Sequence, residues 1–168
     1  MKSILIICKL FLLCVLFISG CGYTTKASFL PRHITSIYID NFRNNTDQPN
    51  LENEFRPQLI SFFQKDGNLK IAALDDASSI VRGKLVGYSR DVVRYAEDDV
   101  VRQYRLTIAV DFEFVDLTNN EVKIEAANFT GDTEFFLTGS SAKTEESARK
   151  EALEDLAKNI VNKVITLW

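Results

Sequence analysis

Beyond position 21 this 168-residue sequence holds no cysteine, and in its whole length it holds one histidine, His33. Cys8 and Cys14 sit in an apolar N-terminal run that Cys21 closes. A processed chain therefore offers no thiol for a disulfide, a metal or a nucleophile. With a lone histidine and no thiol, the metal, nucleophile and acid–base readings all lack the second group they need, so the chain does not read as an enzyme. His33 is expected to be a solvated loop residue. A basic excess is missing too: 20 lysines and arginines face 23 aspartates and glutamates. That balance argues against a general nucleic-acid binder, which needs a strong positive surplus for phosphate contacts. After Cys21 no run is long and apolar enough to cross a bilayer, which takes about 20 residues.

What is present begins with Ile18-Ser19-Gly20-Cys21, two small residues and a cysteine at the end of an apolar run. Lys2 and Lys9 precede the run Leu10 to Ile18 with no acidic residue among them, and the run has the length of a signal-peptide core rather than of a membrane span. The pattern reads as a lipoprotein cleavage site, with an ordinary secretory signal or a short membrane anchor as the alternative. The Cys21 thiol would take a diacylglycerol, and cleavage would free its amine for a further acyl chain. Each buried CH₂ adds about 0.8 kcal/mol, so three chains anchor the protein in effect permanently. No cofactor is expected beyond this covalent lipid. Without residues 1–20, 148 residues remain with 18 basic and 23 acidic side chains, a size that suits one domain with its own core. The expected division is a signal peptide over 1–20, a lipidated tether over 21–32 and a single domain over 33–168.

Within that domain, Pro31 predicts an extended approach to a strand within Ile34 to Phe42, followed by a polar turn from Asn41 to Asn50. Asn50 is placed to cap a helix carrying Leu51, Phe55, Leu59, Ile60, Phe62 and Phe63, with Gly67 as its C′ residue. Pro57 inside it predicts a kink or a late helix start. Leu69 to Leu74 reads as a short strand, and Asp75 to Ser78 as a turn. Ser79 to Tyr95 alternates, with small or apolar residues at odd positions and Arg82, Lys84, Tyr88, Arg90 and Arg94 at even ones. One face should pack on helices and the other should be basic. Val100 to Asp116 alternates most clearly, with Leu106, Ile108, Val110, Phe112 and Phe114 in one phase. In the last strand Val122, Ile124 and Ala126 occupy one phase, Phe129 and Phe135 the other, which implies a bulge near Ala127 or Asn128. From Ser140 a long amphipathic helix carries Ala148, Ala152, Leu153, Leu156, Ala157, Ile160, Val164 and Trp168, with i,i+4 pairs Glu145–Arg149, Glu146–Lys150 and Glu154–Lys158. This order implies an α+β, two-layer sandwich: a mostly antiparallel or mixed sheet covered on one face by two helices.

Cys21-Gly22-Tyr23, Leu30-Pro31, Ile37-Tyr38-Ile39, Phe42-Arg43-Asn44-Asn45-Thr46, Tyr104-Arg105-Leu106-Thr107 and the helix from Ala148 to Trp168 together resemble the outer-membrane lipopolysaccharide-assembly lipoprotein family LptE. The resemblance covers nearly the whole processed chain in order. It implies a non-enzymatic, lipid-anchored protein on the periplasmic face of the outer membrane. Such a protein would plug and help fold an LptD-type β-barrel and would bind lipopolysaccharide. Ile37 to Thr46, Leu69-Lys70-Ile71 and Val81 to Leu85 are also similar to interaction lipoproteins of the TolB and CsgG type, which would imply a periplasmic scaffold or activator of an envelope or secretion complex. That second pattern stops near Tyr88.

The remaining polar clusters are weak candidates. Glu97-Asp98-Asp99 lacks the spacing and glycine of a calcium loop and reads as a hairpin tip. Asn44-Asn45-Thr46 reads as a turn. The informative cluster is Arg82, Lys84, Arg90, Arg94, Arg102 and Arg105 on the long strand pair. The plain reading is a solvated sheet face. Under the family resemblance, arginine forks there would bind the phosphates of lipid A, for which bidentate charge-assisted contacts are strong. Arg102 falls in the apolar phase of its strand, opposite in phase to Arg105. The candidate lipopolysaccharide-binding residues are therefore Arg82, Lys84, Arg90, Arg94 and Arg105.

Overall fold

The computed structural model describes residues 30–95, 101–139 and 141–166, with the backbone alone for Tyr95, Val101 and Arg102. The signal segment, Cys21, most of the tether, Glu97-Asp98-Asp99 and Trp168 lie outside the described residues.

Six strands form one sheet: β1 (Ser36–Ile39), β2 (Arg43–Asn44), β3 (Lys70–Ile71), β4 (Ser79–Tyr95), β5 (Val101–Asp116) and β6 (Glu121–Phe136). Their order is β3-β1-β4-β5-β6, with β2 also on β4. The short strands β1, β2 and β3 pair in parallel, and the three long ones pair antiparallel, so the sheet is mixed. Helices α1 (Leu51–Asp66) and α2 (Glu145–Thr166) pack on each other and on one face of the sheet. The architecture is the expected two-layer α+β sandwich. Among the described residues no helix is long and apolar enough to cross a membrane.

The covered face is where the sequence periodicities converge. Leu51, Phe55, Leu59 and Phe63, each four apart, form the fully buried stripe of α1, with Ile60 and Phe62 half-buried beside it. Val81, Leu85, Leu106, Ile108, Val110, Phe112 and Phe114 meet them from the sheet, and Ala148, Ala152, Leu153, Leu156, Ala157, Ile160 and Val164 from α2. Small residues on α2 let it approach closely. A Cβ on Gly131 of β6 would lie 2.3 Å from the Leu156 nitrogen, so only glycine fits beneath this turn of the helix. Gly67 ends α1 at φ 76° and donates its N–H to the Phe63 carbonyl, as its C′ placement predicts.

Several local expectations are corrected. Pro31 opens a turn, closed by the Ile34 N–H on its carbonyl at 2.9 Å, in place of an extended approach. The first strand is shorter than Ile34 to Phe42, and the Leu69 to Leu74 strand reduces to β3 followed by a 3₁₀ turn at Leu74–Asp76. Asn50 marks the helix start, but with φ 61° and no side-chain cap bond. Asparagine tolerates that backbone region, and Glu52 and Glu54 offset the positive helix end instead. The helix starts at Leu51 and continues through Pro57, so no late start occurs. The last helix begins at Glu145 rather than Ser140. None of its three expected i,i+4 pairs is an ion pair among the described residues; for Glu145–Arg149 tertiary partners capture both charges, Glu145 bonding Tyr88 and Arg90 and Arg149 bonding Glu54.

His33 is exposed but committed. Its Nε2–H donates to Asp116 Oδ2 at 2.6 Å, and that carboxylate is fully buried at the end of β5. Burial pushes the Asp116 pKa up, yet the His33 bond and two bonds from Thr118 outweigh it and hold the carboxyl at about 2. Beside it, Ser78 and Ser79 hydroxyls donate to the Ser36 carbonyl and close the same end of the sheet.

Candidate functional site

The face of the sheet away from the helices carries the charged side chains of β4, β5 and β6, and register decides which of them meet. Arg82 stands opposite Glu113, which stands opposite Glu125. Lys84 stands between Arg43 of β2 and Asp111 of β5. Both cations take up those neighbours: Arg82 Nη2 lies 2.9 Å from Glu113 Oε2, and Lys84 Nζ lies 3.3 Å from Asp111 Oδ2. A cleft of about 400 Å³ runs across these two rows, rimmed by Asp40, Asn41 and Arg43. Asp111 is held below the usual carboxylate range, first by the Asn128 N–H and then by Lys84.

The expected single basic face does not form. Between Leu85 and Gly87 the register with β5 shifts by one residue, so Val86 is an extra residue in β4 and the pleat inverts beyond it. Tyr88 and Arg90 consequently point to the covered side. There the Tyr88 hydroxyl donates to Glu145 Oε1 at 2.9 Å, and Arg90 bonds Glu145 Oε2 at 2.5 Å while lying 4.9 Å from the Tyr104 ring centroid. Burial, then the bond to Glu145, pushes the Tyr88 pKa up to about 12. A second shift, between Val92 and Arg94, inserts Val93 and returns Arg94 to the open side, in register with Gln103. Arg105 is on that side as well, bonded to Glu134 at 2.5 Å and 3.8 Å from Asp132. Thus Arg82, Lys84, Arg94 and Arg105 share the open face and Arg90 does not. That face is mixed rather than basic, since Asp91, Asp111, Glu113, Asp132 and Glu134 are interleaved with its cations by register. The Arg102 side chain lies outside the described residues.

The bulge expected near Ala127 or Asn128 is present. Between the pairs Val110–Phe129 and Phe112–Ala126, β6 carries those two residues against Asp111 alone. Asn128 takes φ 50° and donates its N–H to Asp111 Oδ1 at 2.8 Å, which fixes the carboxylate that faces Lys84. The Asn44 turn is also as expected: its Oδ1 accepts from the Thr46 N–H and hydroxyl, and its Nδ2 donates to the Gln48 carbonyl.

The chain that folds into this mixed sheet with two helices on one face matches the lipopolysaccharide-assembly family LptE over residues 34–166. The chain belongs to that family. The match continues far beyond Tyr88, where the TolB and CsgG likeness ends. Among solved structures the chain is similar to a minor lipoprotein from Acinetobacter baumannii, at 14% identity over 78% of this chain and 92% of that one, TM-score 0.53. It is also similar to a hypothetical protein from Chlamydia trachomatis, at 12% identity over 79% of this chain and 97% of that one, TM-score 0.57. At such identities the likeness establishes the fold alone. No curated protein matches the chain by sequence.

The open cleft mixes Arg43, Arg82 and Lys84 with Asp40, Asp111, Glu113 and Glu125. Arg43 at its rim was missed by sequence reasoning. It is exposed, has no ion pair among the described residues and stands in register with Lys84. No periodicity marks a two-residue strand, so only the parallel pairing of β2 with β4 brings it to the site.

Proposed function

We propose that this chain is a non-enzymatic component of an outer-membrane lipopolysaccharide-assembly translocon, anchored on the periplasmic side by lipid on Cys21. In this reading it plugs an LptD-type β-barrel, assists the folding of that barrel and binds lipopolysaccharide for insertion in the outer leaflet. The observation that carries the reading is the family match over residues 34–166. Lipopolysaccharide contact is assigned to the open-face cations Arg82, Lys84, Arg94 and Arg105, with Arg43 added at the cleft rim and Arg90 removed because it is committed to Glu145 across the sheet. Phosphate groups would take over guanidinium and ammonium groups now bonded to exposed carboxylates. Such exposed pairs contribute only about 0–1 kcal/mol, so the exchange costs little.

Two measurements test this. Purification from membranes in mild detergent should recover one large β-barrel in stoichiometric amount, and recovery without a barrel would overturn the translocon reading. Charge reversal at Arg82 and Lys84 together should weaken lipopolysaccharide binding at least tenfold with an unchanged circular dichroism spectrum. Unchanged affinity would remove the open face from lipopolysaccharide contact.

A further inference from the structure

A proline inside a helix needs a reason, and Pro57 sits in the interior of α1, past its first turn. It has no N–H, so the Asn53 carbonyl loses the donor that residue i+4 supplies elsewhere in a helix. Asn53 and Pro57 are exposed, on the side of α1 opposite the buried Leu51, Phe55 and Leu59. A hollow opens on either flank of this proline. One, of about 450 Å³, lies against α2 and is lined by Gln58, Thr144, Ser147 and Lys150. The other, of about 360 Å³, lies against the turn after β1 and is lined by Asn41, Glu52 and Arg56. Asn53 and Pro57 belong to both. Each volume falls within the roughly 300–1,000 Å³ of small-ligand sites. Each hollow is also lined by a residue with an acceptor that the fold leaves unanswered. Gln58 Oε1 in the first and Glu52 Oε2 in the second are buried without a hydrogen-bond partner among the described residues. The other Glu52 oxygen accepts from Asn53 Nδ2 at 3.3 Å. Buried polar atoms are nearly always paired, because an unpaired one costs stability. Two orphan acceptors and a helix carbonyl stripped of its usual donor therefore converge around one exposed proline.

We infer that the two hollows around Pro57 form a binding site for a saccharide, whose hydroxyl groups supply the donors these acceptors lack. Charge selects a neutral ligand. In the first hollow Glu146 stands with Lys150, while Glu54 is already bonded to Arg149 at 3.0 Å. In the second, Arg56 stands with Glu52, so neither hollow carries a surplus of one sign. Sugar hydroxyls donate to Gln58 Oε1, Glu52 Oε2 and the Asn53 carbonyl, and sugar oxygens accept from Lys150 Nζ and from the Thr144 and Ser147 hydroxyls. The pyrrolidine ring, exposed between the hollows, offers an apolar surface to the C–H face of a pyranose. The cost the fold carries here is then recovered on binding, when each orphan acceptor gains a donor. The site is on the helical side of the molecule, and its assignment is independent of the open-face reading above.

The test uses the lipidated full chain in an amine-oxide detergent, which carries no sugar headgroup. Two soluble probes separate the sources of saccharide in a cell envelope: the core oligosaccharide released from lipopolysaccharide, and chitotriose as a fragment of cell-wall type glycan. Saturation-transfer NMR and titration calorimetry should detect binding of at least one of them, and which one binds names the source. Binding of neither at millimolar concentration would overturn the site. Gln58→Leu removes an acceptor at nearly constant volume, and Pro57→Ala returns an N–H to the Asn53 carbonyl. Each should weaken binding about tenfold and leave the melting temperature unchanged or higher. A merely structural role for Gln58 predicts the reverse, a lower melting temperature with binding intact, and that result would sink the proposal. The charge-reversal variant at Arg82 and Lys84 should keep this binding. Losing it there, and not in Gln58→Leu, would move the saccharide to the open face and overturn the Pro57 site while leaving the open-face reading in place.

Discussion

On the covered face of the sheet Leu85, Leu106, Ile108, Val110 and Phe114 are excluded from water, whereas on the open face Arg82, Lys84 and Arg105 stay about half exposed at 53%, 47% and 50%. The first set makes no charged contact, and each side chain contributes about 1.5–3 kcal/mol by leaving water. Members of the second set each touch a carboxylate and contribute far less, because solvent screens these exposed pairs and side-chain entropy opposes them. The contrast separates stability from recognition. A side chain the fold depends on cannot be lent to a ligand, while a weakly bonded surface cation can exchange its partner at little cost.

Breaking the covered face should give the largest effects. Phe114→Ala, at a fully buried position of β5, is expected to cost about 3–5 kcal/mol in urea denaturation through lost burial and the cavity left behind. Gly131→Val should cost about 1–3 kcal/mol or more, because its first added atom already meets the backbone at Leu156 and α2 must lift. A loss confined to a few tenths there would mean that the helix is free to shift.

His33→Ala tests the closed end of the sheet, with an expected loss of about 1–3 kcal/mol from leaving the buried Asp116 with fewer partners. The same variant alters the acid limb of stability. The folded carboxyl titrates at about 2, below its unfolded value near 3.9, so its contribution is complete above about pH 4 and disappears as pH falls toward 2. Removing the His33 bond should raise the folded value and flatten that limb, readable from urea midpoints between about pH 2 and 5. The smallest effect belongs to the open face. Arg82→Gln with Lys84→Gln should change stability by less than about 1 kcal/mol, since both pairs are half exposed. A larger loss would show that these rows are structural and would weaken their assignment to a ligand.

Parts of this arrangement were legible in the sequence and parts were not, for identifiable reasons. The limits of β4 and the bulge at Ala127 and Asn128 could be read because apolar residues change phase visibly between Ala126 and Phe129. The shift at Val86 left no such mark. Leu85, Val86, Gly87 and Tyr88 are all apolar, small or aromatic, so continued parity looked natural and carried Arg90 onto the wrong face. The bond from His33 to Asp116 joins residues 83 apart, and Arg43 reaches Lys84 through a strand of two residues. Neither leaves a local pattern to read. The family resemblance, by contrast, rested on an ordered set of motifs, and the match over 34–166 bears it out.

Taken alone, the amino-acid order determined the helices, the long strands and the apolar stripes, because periods of 3.6 and 2 are properties of one segment and its own backbone. Tertiary structure alone decided which charges neutralise one another and which stay available. Register relates two strands, and a single inserted residue exchanges the faces of everything beyond it. In this protein Val86 and Val93 are two such insertions, and between them they place Arg90 against Tyr104 and Glu145 and turn Arg94 to the open face, where it has no ion pair among the described residues.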